Sequence, residues 1–183
     1  MPTPEKTSRD AIVAAGRDLI ERDGVEGLTM QSVAERVGVR APSLYKRIRD
    51  RHDLLELVVA ASIDDLTSRL VAQDQSDPRR RLMAMAGALR TFAHEWPVGY
   101  TLVFGAHGAP RPQVDAARAS VQPLLEAVSA VAGSDHALDG ARLLTAWATG
   151  FLTMELGDRL RMGGDIDAAW NWGLERIVSA LES

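Results

Sequence analysis

Gly38 stands between two short segments that each carry apolar residues at helical spacing, and no other stretch restricts the chain as much. Residues 28–55 read LTMQSVAERVGVRAPSLYKRIRDRHDLL. Thr29 is a good N-cap for a short helix bearing Val33, Ala34 and Val37, which Gly38 stops. A second short helix starts near Ala41, with Pro42 in its first turn, where a missing N–H leaves no bond unmade. A three- or four-residue turn between them needs a residue that tolerates positive φ, which glycine supplies. Ala34 is small where the helices must cross. Val33, Val37, Val39, Leu44 and Ile48 are spaced to face inward against the helix before them. The pattern predicts a helix-turn-helix whose second helix turns Arg40, Ala41, Ser43, Lys46 and Arg47 outward.

The rest of the chain also reads as helix, with no sustained period-2 alternation. Thr7-Ser8-Arg9-Asp10 has capping-box form and opens a helix through Ile12, Ala15, Leu19 and Ile20 that ends at Gly24. Asp50 caps a long helix through Leu54, Leu55, Val58, Ile63, Leu66 and Leu70, and Gln73 to Asp77 is a polar break. Asp77-Pro78 starts the next helix, which Trp96-Pro97 ends or kinks, and Gly105 to Pro112 is a loop. Helices follow from Val114 to Ala132, from Ser134 or Asp135 to about Met162, and from Ile166 to Leu181. The expectation is an all-α chain of about nine helices. A helix-turn-helix domain would span 1–53, with a fourth helix from about 50 connecting it to a helical domain over 54–183.

A net charge of −4 argues against nucleic acid until it is divided along the chain. Residues 1–53 hold ten Lys/Arg against nine Asp/Glu, whereas the remainder holds eleven against sixteen. Six of the seven charged residues from Arg36 to Arg51 are basic, and phosphate binding depends on such local density. A solvated face would show the same run, so the charge alone leaves both readings open. The absence of cysteine excludes disulfides, thiol catalysis and thiolate metal sites, and suits a cytoplasmic protein. Met1 to Lys6 lacks the apolar core of a secretory signal, and no apolar run approaches the roughly 18 residues of a membrane span.

The first helix ending at Gly24, Leu28-Thr29, Val33-Ala34, Val37-Gly38-Val39, Leu44-Tyr45 and Leu54-Leu55 together closely resemble the tetracycline-repressor (TetR) family of bacterial regulators. The resemblance covers about the first third of the chain. It implies a homodimer, a palindromic double-stranded DNA operator and, in most members, a small-molecule effector that releases the DNA. Arg40 stands where Ser or Thr often caps the recognition helix, and Ile48 replaces the usual aromatic. By resemblance and chemistry together, Thr29 offers its hydroxyl and cap amides to a phosphate. Tyr45, Lys46 and His52 hold the backbone. Arg40, Ala41 and Ser43, beside Pro42, face base edges, with Gln31 and Arg47 as further contacts. Core packing of Tyr45 is the competing reading for that residue.

Trp147-Ala148-Thr149-Gly150 and the upstream Trp96-Pro97-Val98-Gly99-Tyr100 resemble a Trp-x-x-Gly (WHG-like) subgroup of that family. The family pairs its last two helices across the dimer axis. That assigns the interface to the small residues Ala146, Gly150, Thr153 and Gly157 and to the stripe Trp170, Gly173, Leu174, Ile177 and Leu181. The stripe packing within its own subunit is the alternative. Met85, Phe92, Trp96, Tyr100, Phe104, Trp147 and Phe151 are the candidate lining of an apolar effector pocket, with ordinary core as the alternative. His52, His94, His107 and His136 show no i, i+3 or i, i+4 pairing, so neither a metal nor another cofactor is expected. Ser134-Asp135-His136 contains triad residue types, but adjacent side chains point apart. No enzyme is expected. The competing function is a helical small-molecule-binding or scaffold protein without operator binding.

Overall fold

The computed structural model describes residues 8–73, 75–105 and 114–182. The expectations for Met1 to Lys6, for Thr7 and for the loop beyond Gly105, His107 included, lie outside those residues, as does Asp74 in the polar break. Among the described residues every regular element is helical: α1 (Arg9–Gly27), α2 (Met30–Val37), α3 (Ala41–Leu44), α4 (Arg51–Val71), α5 (Pro78–Glu95), α6 (Pro97–Phe104), α7 (Val114–Ala132), α8 (Ala137–Leu156) and α9 (Ile166–Leu181). A single 3-10 turn, Ser134–His136, precedes α8. The all-α expectation holds.

The chain forms two units, one from residues up to 64 together with 96–105 and the other from 65–95 together with 114–182. In the first unit Ser8 caps α1, its hydroxyl accepting the Ala11 amide at 3.1 Å. The expected stop at Gly24 is a kink: φ 74° and ψ 177° interrupt the helical path, and one further turn runs to Gly27. Ile12, Leu19 and Ile20 of α1 pack with Leu28, with Val33 and Ala34 of α2, and with Leu44 and Ile48. Each large aliphatic side chain removed from water in this way contributes about 1.5–3 kcal/mol. Leu54, Leu55 and Val58 of α4 belong to the same core, and Val98 and Leu102 of α6 pack against it. This core therefore runs on past residue 53.

Trp96-Pro97 both ends α5 and starts a helix that the sequence reading did not separate. Pro97 occupies the first turn of α6, and the Glu21 carboxylate accepts the amides of Val98 at 3.1 Å and Gly99 at 2.5 Å. These donors have no partner within the helix, so a carboxylate from α1 satisfies them and meets the positive end of the helix dipole. One turn earlier on α1, the Arg17 guanidinium lies 3.9 Å from the Trp96 ring centre.

The second unit is built on Leu82 and Met85 of α5, Ala127 and Val128 of α7, Ala141 and Leu144 of α8, and Leu174 and Val178 of α9. Asp77 accepts the Arg79 amide at 2.9 Å to start α5, and Asp165 accepts the Asp167 and Ala168 amides at 2.8 and 3.1 Å to start α9. The expected start of α8 at a Ser134 or Asp135 cap is corrected, for those residues form the 3-10 turn and α8 begins at Ala137 with no side-chain cap bond; its expected reach to about Met162 is corrected too, for it ends at Leu156. Asp158 adopts φ 50°, its amide donates to Glu155 O at 3.0 Å, and the Arg159 amide donates to Met154 O at 2.9 Å. Those two bonds are the Schellman closure of a helix end.

The stripe assigned to a partner subunit is also corrected in part. Trp170 and Leu174 are each 2% exposed, and Ile177 and Leu181 pack against the second unit's core. A Cβ on Gly173 would lie 2.6 Å from the Trp147 ring, so this glycine lets α8 and α9 approach within one subunit. The reason lies in α9 itself, whose strongest apolar face is needed by its own core. Ala146, Gly150, Thr153 and Gly157 are exposed, as their assignment requires. The outward faces of α8 and α9 also present Leu143, Met154 and Trp172, which the sequence reading missed.

Candidate nucleic-acid interface and effector cavity

Thr29 Oγ1 accepts the Ser32 amide at 3.0 Å, and Ser32 Oγ accepts the Thr29 amide at 3.0 Å. This reciprocal cap fixes the start of α2. It also occupies the Thr29 amide that was expected to meet a phosphate. At the far end Gly38 has φ 75° and ψ 37°, and the Val39 amide donates to Ala34 O at 2.9 Å. Arg40 follows in extended conformation as the N-cap of α3, with no side-chain cap bond. The helix proper is one turn long, and Arg47 and Ile48 continue the coil by donating to Leu44 O at 2.8 and 2.9 Å.

Leu44 and Ile48 anchor this segment, at 0% and 1% exposure. The side away from them is wet: Arg40, Pro42, Lys46 and Arg47 are exposed, and Ala41 and Ser43 are half-buried. Tyr45 is 55% exposed, which removes the core-packing reading for its ring. The segment thus leaves Arg40, Pro42, Tyr45, Lys46 and Arg47 accessible, whereas Ala41 packs against the core and Ser43 is half-buried.

The basic run divides once partners are counted. Arg36 pairs with Asp18 of α1 at 2.9 Å, and Arg49 pairs with Asp50 at 3.2 Å. The Asp50 hydrogen bond raises the Arg49 pKa above its ordinary value. The Asp50 carboxyl is itself held below its usual range, chiefly by accepting the Asp53 amide at 2.8 Å. Arg51 donates from Nε to Leu28 O at 2.6 Å and from Nη2 to Val25 O at 2.7 Å. Among the described residues, the side chains of Arg40 and Lys46 have neither a hydrogen bond nor an ion pair within the chain. Gln31 donates to Glu35 at 2.7 Å, and His52 lies 3.4 Å from Glu56, so these two candidates face the protein's own carboxylates. Arg51 and Ser32 are the contributors that sequence reasoning missed; the S/T-x-x-S spacing from Thr29 signals Ser32, and nothing local signals Arg51.

In the second unit Met85 and Trp147 line a cavity of about 60 Å³ with Leu70, Leu82, Leu124, Leu144 and Leu174. Among the described residues, Thr145 brings a hydroxyl to this otherwise aliphatic and indole lining. Phe151 stands beside Trp147, with ring centres 5.7 Å apart, and Phe92 is fully buried with the Arg69 guanidinium 5.6 Å from its ring centre. Trp96, Tyr100 and Phe104 belong to the first unit, where Tyr100 and Phe104 have ring centres 5.0 Å apart. The seven candidates therefore do not form one lining within a unit; Met85 and Trp147 do. No helix among the described residues is long and apolar enough to cross a membrane.

Two sequence families match the chain. The tetR family of bacterial regulatory proteins matches residues 12–58, which contain α2, α3 and the core beneath them. The tetracyclin repressor-like C-terminal domain matches residues 82–177. An HTH-type transcriptional regulator of Mycobacterium tuberculosis is 30% identical over 188 residues, covering 98% of this chain and 84% of that protein. The class A tetracycline repressor of Escherichia coli transposon 1721 is 31% identical over 123 residues, which span 67% of this chain and 56% of the repressor. A solved structure of a Rhodococcus sp. RHA1 protein superposes with a TM-score of 0.84 at 26% identity, with both chains fully covered. With these matches joined to the geometry of α2 and α3, the chain belongs to the TetR family of helix-turn-helix transcriptional regulators.

Proposed function

We propose that this regulator is a repressor that holds a palindromic operator as a homodimer and leaves it when a small apolar or aromatic effector binds. The observation that carries the DNA side is the pair Arg40 and Lys46. Both are exposed on the α3 segment, and neither is neutralised among the described residues. Lys46 and Tyr45 suit phosphates, whereas Arg40, at the N-terminal edge of the segment, suits a base edge in the major groove. Ala41 and Ser43 lie beside it, and Pro42 shapes the entry of the turn. A two-fold dimer places two such segments on half-sites about one helical turn apart, which calls for a palindrome.

The dimer is drawn through the exposed side of α8 and α9, where Ala146, Gly150 and Thr153 permit close approach and Leu143, Met154 and Trp172 supply apolar area. The Trp-x-x-Gly subgroup likeness belongs to the same reading, with Trp147 facing the cavity and Gly150 open to a neighbour. The effector side rests on the cavity, whose lining is apolar apart from Thr145. Gel retardation of palindromic fragments from the region around the chain's own gene tests the proposal. Binding should weaken steeply as salt rises, since each phosphate contact releases counterions. An absence of retardation at low salt, with a small molecule still bound, would instead favour a binding module without an operator.

A further inference from the structure

Along one face of α5, Leu82, Met85, Ala86 and Leu89 stand at i, i+3, i+4 and i+7 and form a wall of the cavity in the second unit. Leu82, Met85 and Leu174 of α9, which share one core, are each 2% exposed, whereas Ala86, Leu89 and Trp147 are half-buried. The space is therefore a recess, closed at its floor and partly open at its side. Among the described residues that line it none carries an ionisable group, and Thr145 brings a hydroxyl.

Its size is set by side chains that are already seated. The Trp147 ring lies 4.8 Å from that of Trp170 and 5.7 Å from that of Phe151, centre to centre. It also rests over Gly173, where a Cβ would come within 2.6 Å of it. Trp170 is itself 2% exposed, so Trp147 has no slack on that side. Moving these walls means repacking a core at crystal-like density, where even one methylene is felt. The space of about 60 Å³ is well under the roughly 150 Å³ that holds a benzene ring, and in proportion it takes about two or three carbons.

We infer, resting on the effector reading above, that the effector is aliphatic: an alkyl end enters the recess, the polar group of the molecule stays at the rim, and rings do not enter. Of the apolar and aromatic classes left open there, the volume selects the first. Charge is excluded from the recess itself, because a lining without a counter-charge does not offset the lost hydration of an ammonium or a carboxylate. A ligand with several polar groups to bury fares no better, since each would need a partner and the lining offers little beyond Thr145. An alkyl end needs none. Each methylene that it buries against the Leu and Met surfaces gives about a fourfold gain in affinity.

Two probes, 1-hexanol and 3-phenyl-1-propanol, test this: they share a hydroxyl and a similar hydrophobicity, but one ends in a methyl group and the other in a ring. Titrated into the full chain and followed by tryptophan emission and thermal shift, 1-hexanol should bind at least about tenfold tighter, the gain of two seated methylenes. Ala86→Leu fills the recess from its side and should abolish that preference, with folding checked by circular dichroism. Ala148→Val takes its place if that variant does not fold. Ring binding as tight as hexanol binding, and lost in the filled variant, overturns the aliphatic assignment while the effector cavity stands. Hexanol binding that persists in a folded, filled variant puts the ligand elsewhere and overturns the recess as its seat. If neither compound shifts emission or melting, the recess is a packing void, and the aliphatic assignment and the effector reading of this cavity fail together. Operator retardation, measured separately, still reports on the reading head.

Discussion

An arginine that donates to two backbone carbonyls fixes the spacing between its own helix and the segment carrying those carbonyls. Arg51, in the first turn of α4, does this for the stretch between the α1 kink and the α2 cap, through Val25 O and Leu28 O. Lys46 stands on the same basic run with no side-chain partner among the described residues. The two should separate by salt dependence. Lys46→Ala should weaken binding to all sequences alike and reduce the slope of log affinity against log salt by about 0.9, the share of one phosphate. Arg51→Ala should weaken operator binding of fully folded protein at an unchanged slope, because its role is to place α2 rather than to meet a phosphate. Arg40→Ala should change preference at one base position, read by binding to operator variants; equal loss on every variant would remove its base-reading role. From sequence, Arg36, Arg49 and Arg51 looked alike, as members of one basic run. Their different uses depend on Asp18, Asp50 and two carbonyls more than twenty residues away, and charge counting does not see such partners.

Helix starts were easier to read than helix ends. Thr29, Asp77 and Asp165 cap where their side-chain chemistry indicates, because an N-cap acts through one local acceptor. The end of α8 depends on Asp158 adopting a left-handed conformation that its type does not announce, and Pro97 reads equally as a stop or a first-turn residue. Gly38 is the element whose conformation sequence and structure agree on most closely. Gly38→Ala should lower stability by about 1–2 kcal/mol, the cost of a left-handed residue with a Cβ, measured by urea unfolding. The first turn of α4 should respond to acid. Asp50 has a depressed folded pKa, so its contribution is fully present above the unfolded value of about 3.9 and is lost as pH falls through the lower folded value. Hydrogen exchange at the Asp53 amide should accelerate over that acid window and not between pH 5 and 8.

At the scale of the molecule, the outward side of α8 and α9 leaves Leu143, Met154 and Trp172 at 48%, 44% and 64% exposure. Leu143→Glu combined with Trp172→Glu should give a monomer by light scattering with helical content retained, and operator affinity should fall with it. Trp170→Glu should instead unfold the second unit, since that ring is held inside its own subunit. The class of fold was legible because its periodicity is local. Which face of α9 turns outward was not, because apolar residues occur on both sides and only the packing of Trp147 against Gly173 decides between them.

The first unit is discontinuous in sequence: it closes only when α6, more than thirty residues beyond Asp64, brings Val98 and Leu102 to its core and its amides to Glu21. Recombination is therefore constrained. A chimera that joins this reading head to another family member's effector domain at residue 64 would pair Glu21 and Arg17 with a foreign α6. The exchangeable module is residues 8–64 together with 96–105, and grafts that carry both pieces should keep their fold where single-crossover grafts lose it.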